Sequence, residues 1–188
     1  MPGLNASEIR VAGTGAVYVA PAHTPRPANF AAKWDSPWTD LGYTTADGVK
    51  FVKKDKLDPV DTWQSVAAIR YVFSDRDFSV KFSLLQINSD TLQFFFSSPP
   101  PAGGVYDIAA APKVEERALG IEFTDGGVTN RFYIPRGVVT ETDETAITRT
   151  SAIKLGVTFT AMTPINDKSE PLAQWAISEP AAAAGTSE

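Results

Sequence analysis

Apolar and polar positions alternate with period two along most of the chain. Ile69, Tyr71 and Phe73 alternate with Arg70, Val72 and Ser74, and Phe78, Val80, Phe82 and Leu84 alternate with Ser79, Lys81 and Ser83. A strand turns successive side chains to opposite faces, so this spacing predicts half-buried antiparallel strands. The polar Ser74-Asp75-Arg76-Asp77 between the two runs reads as a turn joining them. Leu119, Ile121 and Phe123 repeat the pattern, and Phe132 and Ile134 follow it after Asp125-Gly126-Gly127. Glycine reaches positive φ without steric cost, so those glycines predict a hairpin turn. Further strands are expected at 15–21, 41–45, 49–54, 138–142 and 153–161, with Asp47-Gly48 as a turn between the second and third.

One stretch departs from period two. Leu92, Phe95 and Phe96 are spaced i, i+3 and i+4, which places them on one helical face. Asn88 or Ser89 stands where a side chain accepts the orphan N–H groups of a helix start. The expectation is one short helix laid over the open side of a sheet. Residues 21–37 hold four prolines and read as a long loop. Together these signals predict a mainly β fold of two packed antiparallel sheets, a β-sandwich or partly closed barrel, with one short flanking helix. The expected organisation is an N-terminal arm at 1–13, a β domain at 14–165 and a C-terminal arm at 166–188. The last ends in the low-complexity EPAAAAGTSE, read as frayed.

Composition narrows the function. The chain has 188 residues, 43% of them hydrophobic, enough for a core of its own. Its net charge of −5 removes the sequence-independent attraction that tight DNA binding rests on. The absence of cysteine excludes disulfides and thiolate metal sites. No apolar run approaches the ~20 residues of a membrane span, and MPGLNASEIRVAG lacks the basic start and apolar core of a secretory signal. No membrane partner is expected.

The search for reactive groups is nearly empty. His23, the one histidine, stands in the proline-rich loop without a nucleophile motif near it. Gly13-Thr14-Gly15 lacks the third glycine and the helix of a dinucleotide site. Glu141, Asp143 and Glu144 cluster, but without the alternating ligands and turn glycine of a calcium loop. Trp34, Trp38, Trp63 and Trp175 are of a type that stacks on sugars and, more often, packs in cores and interfaces. The run Lys50, Lys53, Lys54, Asp55, Lys56, Asp58 and Asp61 reads, taken alone, as a solvated hairpin tip. No cofactor, metal or catalytic residue is expected.

An ordered set of segments carries more information. WTDLGYTTADGVKF (38–51) and TWQSVAAIRYVFSDRDFSVKFSLLQINSDTLQFFF (62–96), in that order and spacing, resemble the major tail tube proteins of long-tailed, siphovirus-type bacteriophages, especially those of actinobacterial hosts. FYIPRGVVTETDE (132–144) and KLGVTFTAM (154–162) are similar to the family's closing strands. The likeness spans about residues 10–165.

The resemblance implies a tail-tube fold and a structural subunit. It implies hexameric rings whose inner sheets join into one barrel, stacked into a tube that guides DNA during ejection. The implied partners are further copies of the chain, a tape measure protein and tail terminator and initiator proteins, with double-stranded DNA passing through unbound. The implied place is the tail of a virion, assembled in a bacterial cytoplasm. A hairpin at about 45–63 is then the contact with the next ring, through Lys50, Lys53, Lys54, Asp55, Lys56, Asp58 and Asp61. Glu141, Asp143 and Glu144 are candidates for an acidic lumen. The alternatives are a carbohydrate-binding β-sandwich using its tryptophans, and a connector or baseplate module of the same fold.

Overall fold

The computed structural model describes Leu4 and residues 8–99, 101–111, 113–165 and 170–178; the tail expected to fray, 179–188, and most of 1–7 lie outside the described residues. The chain runs β1 (Thr14–Pro21), β2 (Thr39–Asp40), β3 (Lys50–Thr62), β4 (Ser65–Leu84), α1 (Ser89–Phe96), β5 (Arg117–Asp125), β6 (Val128–Thr142), β7 (Leu155–Ala161) and β8 (Gln174–Ile177). The strands form one antiparallel sheet in the order β2-β1-β5-β6-β7-β4-β3, with β8 also paired to β6. The mainly β architecture and the single short helix follow the alternation of the sequence.

The sheet is not flat, and β6 is the reason. Its first part pairs with β5 and its last part with β7. Between them the chain reads Pro135-Arg136-Gly137, and the register with β5 slips there. Pro135 has no N–H for a ladder, which suits a bulge. Gly137 has no side chain where β6 passes closest to β7; a Cβ there would lie 2.4 Å from the Phe159 ring and 2.6 Å from the Thr160 carbonyl. One strand therefore serves both halves of the sheet. The sequence pattern reads Phe132–Ile134 and Val138–Thr142 as separate strands, because a phase change and a chain break look alike in one dimension.

The bend brings the halves face to face. Val17, Val19, Leu119, Ile121 and Ile134 from one half share a core with Val80, Phe82, Leu84, Val157 and Phe159 from the other. Phe51 on edge strand β3 packs edge-on against Phe132 of β6 at 4.7 Å, and Phe78 lies 5.4 Å from the same ring. Trp175 of β8 joins this cluster 5.5 Å from Phe51. Each fully buried side chain of this kind contributes about 1.5–3 kcal/mol before entropy is subtracted.

Helix α1 covers the core on the β4–β7 side. Asn88 accepts from the Asp90 and Thr91 backbones at 3.0 and 2.9 Å, and Thr91 Oγ1 accepts from the Asn88 N–H. This reciprocal cap starts the helix where the sequence predicts. The buried face is rotated from the expected one: Thr91, Phe94 and Phe95 are buried, Leu92 is partly buried, and Phe96 is 37% exposed. Phe94 lies between Phe82 and Phe159, at 6.2 and 6.0 Å. Leu41–Thr45 is not a strand of its own. Its residues step from β1 to the free edge of β4, where Thr45 N–H donates to Ser83 O and Leu85 N–H to Tyr43 O. Leu41 is fully buried in the seam, and Gly42 takes φ +78° there against the Gln86 side chain.

The outer face of β1, β5 and β6 is also covered, by the proline-rich loop. Trp34 and Trp38 pack on Tyr18, Ala20, Ala118 and Tyr133. Arg131, buried on β6, binds Glu122 and donates to the carbonyls of Asn29 and Ala32, at 2.6 and 2.7 Å. Trp34 Nε1 donates to the same Glu122 at 2.7 Å. Tyr133 donates to Thr24 O, and burial pushes its hydroxyl up to about 12. Glycine at position 120 leaves the space Trp34 fills: a Cβ there would lie 2.4 Å from the indole. Gly120→Ala is expected to cost about 1–3 kcal/mol, the range for overpacking a filled site. Denaturant unfolding monitored by tryptophan fluorescence measures it, and an unchanged midpoint would refute this account of the loop.

Candidate assembly surface

Strands β3 and β4 run on together beyond the rest of the sheet. Residues 50–56 of β3 pair with 75–81 of β4, and Leu57, Asp58, Pro59 and Val60 pair with Phe73, Val72, Tyr71 and Arg70. Trp63 and Gln64 make the tip, with Thr62 opposite Ser65. Ser74–Asp77 is therefore not a turn, and the 69–73 and 78–84 runs are not partners. They are one strand. The register slips where Lys56 faces Asp75 and Leu57 faces Phe73, leaving Ser74 unopposed as a bulge. That slip converts the even-numbered apolar phase of 78–84 into the odd-numbered phase of 69–73. Without it, alternation would turn Ile69, Tyr71 and Phe73 to the other face.

Burial is the second difference from the sequence pattern. Ile69, Tyr71 and Phe73 are exposed, as are Leu57, Val66 and Val72, and Trp63 is 98% exposed. Alternation shows that a strand has an apolar face. It does not show whether that face is covered by the same chain.

The seven charged residues expected at an inter-ring contact all lie on β3. The structure divides them between faces. Lys53 and Asp55 alternate with Phe51 and Leu57 on the side that continues the core face. Asp55 accepts from Lys53 at 2.7 Å and from Arg76 at 2.8 and 3.2 Å. The Arg76 guanidinium, and after it Lys53, hold the Asp55 carboxyl below the usual carboxylate range. Lys50, Lys54, Lys56 and Asp58 occupy the opposite side, with Lys56 Nζ 3.7 Å from Asp58. Asp61 stands beside the tip where the register slips again.

The three acids proposed for a lumen are exposed at the end of β6 and just after it. Glu141 lies 3.9 Å from Lys81, in a groove of about 160 Å³ lined also by Lys54, Ser79, Thr140 and Thr158. Asp143 lies against Gly156, and its N–H donates to the Gly156 carbonyl. Glu144 follows in the loop.

Other candidate chemistry is taken up by packing. Trp34 and Trp38 are buried with their N–H groups donated to Glu122 and Pro25. Trp175 donates to Asn130. Trp63 is open to solvent, and Trp175, half exposed, packs on Phe51, Phe123 and Phe132. His23 Nδ1 lies 3.5 Å from Glu170, with no serine or threonine hydroxyl bonded to it. Among the described residues, no group of three His, Cys, Asp or Glu side chains is placed to hold a metal.

The Asp55 carboxylate ties Lys53 to Arg76 at the root of the projecting ribbon. Its lowered pKa means that the ionised form is favoured in the folded state. The stabilisation is full above the ordinary carboxylate range and fades as pH falls through that range toward the folded value. Asp55→Asn is expected to leave the melting of the core unchanged and to speed amide exchange in residues 54–60 and 70–76. The same loss is expected for the unmodified chain as it is acidified. Equal protection in both chains at neutral pH would remove the ion pairs from this role.

Comparison with known proteins places these features. No curated protein matches the sequence significantly. One chain of the virion of a native gene transfer agent particle aligns with a TM-score of 0.38 and 12% identity, over 67% of this chain and 85% of that one. The sequence profile described as phage tail tube protein matches residues 2–186. That match covers nearly the whole chain, so the protein belongs to the phage tail tube family, as a structural component of the virion tail and not an enzyme.

Proposed function

We propose that this chain is the repeating subunit of a siphovirus-type tail tube. Copies close into hexameric rings, and rings stack through the β3–β4 ribbon into a hollow conduit for double-stranded DNA. The observation that carries the reading is the ribbon itself: β3 and β4 run on as a pair past the rest of the sheet, with apolar side chains exposed. A free strand edge pairs readily with another chain, and β3 ends the sheet at one side while the two-residue β2 ends it at the other. Joining such edges head to tail around a ring leaves none open.

Residues 14–165 then build the ring, and the segments 1–13 and 166–188 are arms that contact neighbours, the second tied to its own subunit where Gln174–Ile177 pairs with β6. Tape measure, terminator and initiator proteins bound the tube, and assembly takes place in the bacterial host cytoplasm. Net negative charge suits passage of DNA, because phosphates are repelled on average. Glu141, Asp143 and Glu144 are the acids assigned to the lumen, with Lys81 offsetting the first.

The test replaces residues 57–74 by Asn-Gly, so that Lys56 and Asp75, already opposite each other, close a short hairpin. The shortened chain is expected to keep its core fold by circular dichroism. Negative-stain electron microscopy is expected to show hollow tubes for the full chain and none for the shortened one. Long tubes from the shortened chain would overturn the assignment of the ribbon to stacking.

A further inference from the structure

The two faces of the ribbon differ in kind. By register and alternation, Leu57, Pro59, Ile69, Tyr71 and Phe73 share one face. Lys54, Lys56, Asp58, Arg70, Asp75 and Asp77 share the other, with Val60 and Val72 among them. The apolar face is continuous with the core face of the sheet. It is set off from the core by the Lys53–Asp55–Arg76 ion pairs, and the Arg76 guanidinium lies 5.4 Å from the Phe73 ring centre. Among the described residues nothing covers it: Ile69 is 62% exposed, and Tyr71 and Phe73 61% each.

We propose that this apolar face, and not the charged one, is the docking face of the ribbon, and that its occupant is a second copy of the same chain. The inference rests on the stacking reading above and sharpens it. Three observations choose the occupant. First, the face carries no charged side chain between Arg76 and the tip-proximal Asp61, so it offers nothing to a phosphate backbone or an ion. Second, a contiguous uncovered apolar surface on a strand ribbon marks a protein contact. Third, each copy of this chain brings one such ribbon, so an occupant in one-to-one supply is another copy. The bulge at Ser74 makes the surface possible, because it gathers Ile69, Tyr71 and Phe73 on the side of Leu57 and Pro59.

The charged face then meets water or forms weak pairs. Ion pairs there set orientation, and their contribution falls with added salt.

The experiment compares three variants with the wild-type chain by sedimentation velocity over a concentration series. They are Tyr71→Ser with Phe73→Ser on the apolar face, Val60→Ser with Val72→Ser on the charged face, and the 57–74 replacement. All substituted side chains are solvent-facing in the subunit, so thermal melts are expected to be unchanged. The apolar-face pair is expected to raise the concentration needed for assembly by about tenfold or more. The charged-face pair is expected to change it less than about threefold. If the charged-face pair weakens assembly as much or more while the 57–74 replacement abolishes it, the face assignment is wrong and the stacking reading stands. If the replacement assembles like wild type, both fall. A wild-type chain that stays monomeric throughout overturns the second copy as occupant.

Discussion

The fold depends on one strand belonging to two halves of a sheet. β6 pairs with β5 at its start and with β7 at its end, and it turns between them at Pro135–Gly137. A proline without a ladder donor and a glycine without a side chain are what that turn requires. Phe159 and the Thr160 carbonyl occupy the space a Cβ at residue 137 would take. From this bend follows the meeting of Phe51 and Phe132 across the core, although their strands stand far apart in sheet order. The proline-rich loop is held to the outside of the first half by Arg131, Trp34 and Tyr133. Both faces of that half are therefore buried, which makes it the rigid end of the subunit.

Much of this is legible in the sequence because period two survives over long stretches of the longer strands. Asp125-Gly126-Gly127 gives the β5–β6 turn, with both glycines at positive φ, and Asn88 gives the helix start. What the sequence hides is phase. At Ser74 and again near Pro135 the alternation shifts by one residue, and a shift reads equally well as a turn between two strands or a bulge within one. The polar Ser74–Asp77 favours the turn reading. The true tip, Thr62-Trp63-Gln64-Ser65, carries no glycine, proline or asparagine to announce it. β8 is hidden for another reason: its four residues are too few for a period, and tertiary contact with Phe51 and Phe132 defines it.

The candidate surface was half legible. The charged run on β3 stands out in composition; Lys50 lies within the sheet, Asp55 at the root of the projecting ribbon, and Lys56, Asp58 and Asp61 on the ribbon itself. The apolar positions opposite, Ile69, Tyr71 and Phe73, have the same pattern as core residues. Pattern measures the chemistry of a face and not what covers it. A subunit made for assembly holds part of its core-like surface in reserve, and single-chain reasoning assigns that surface to the wrong interior.

This division bears on why a chain without reactive chemistry carries so long a hairpin. Exposed ion pairs contribute about 0.2–1 kcal/mol each and weaken with salt. Burial of an aromatic or branched side chain contributes about 1.5–3 kcal/mol and is insensitive to screening. In the proposed stacking, the apolar face therefore supplies most of the contact energy, and the Lys53–Asp55–Arg76 pairs keep the ribbon straight at its root. A ribbon two strands wide has no core of its own, since an isolated hairpin is marginal in water. Its stability comes from the sheet at one end and, in the proposed tube, from the next subunit at the other. The cost of an uncovered apolar face in the free subunit is then the same property that makes stacking favourable once a ring is in place.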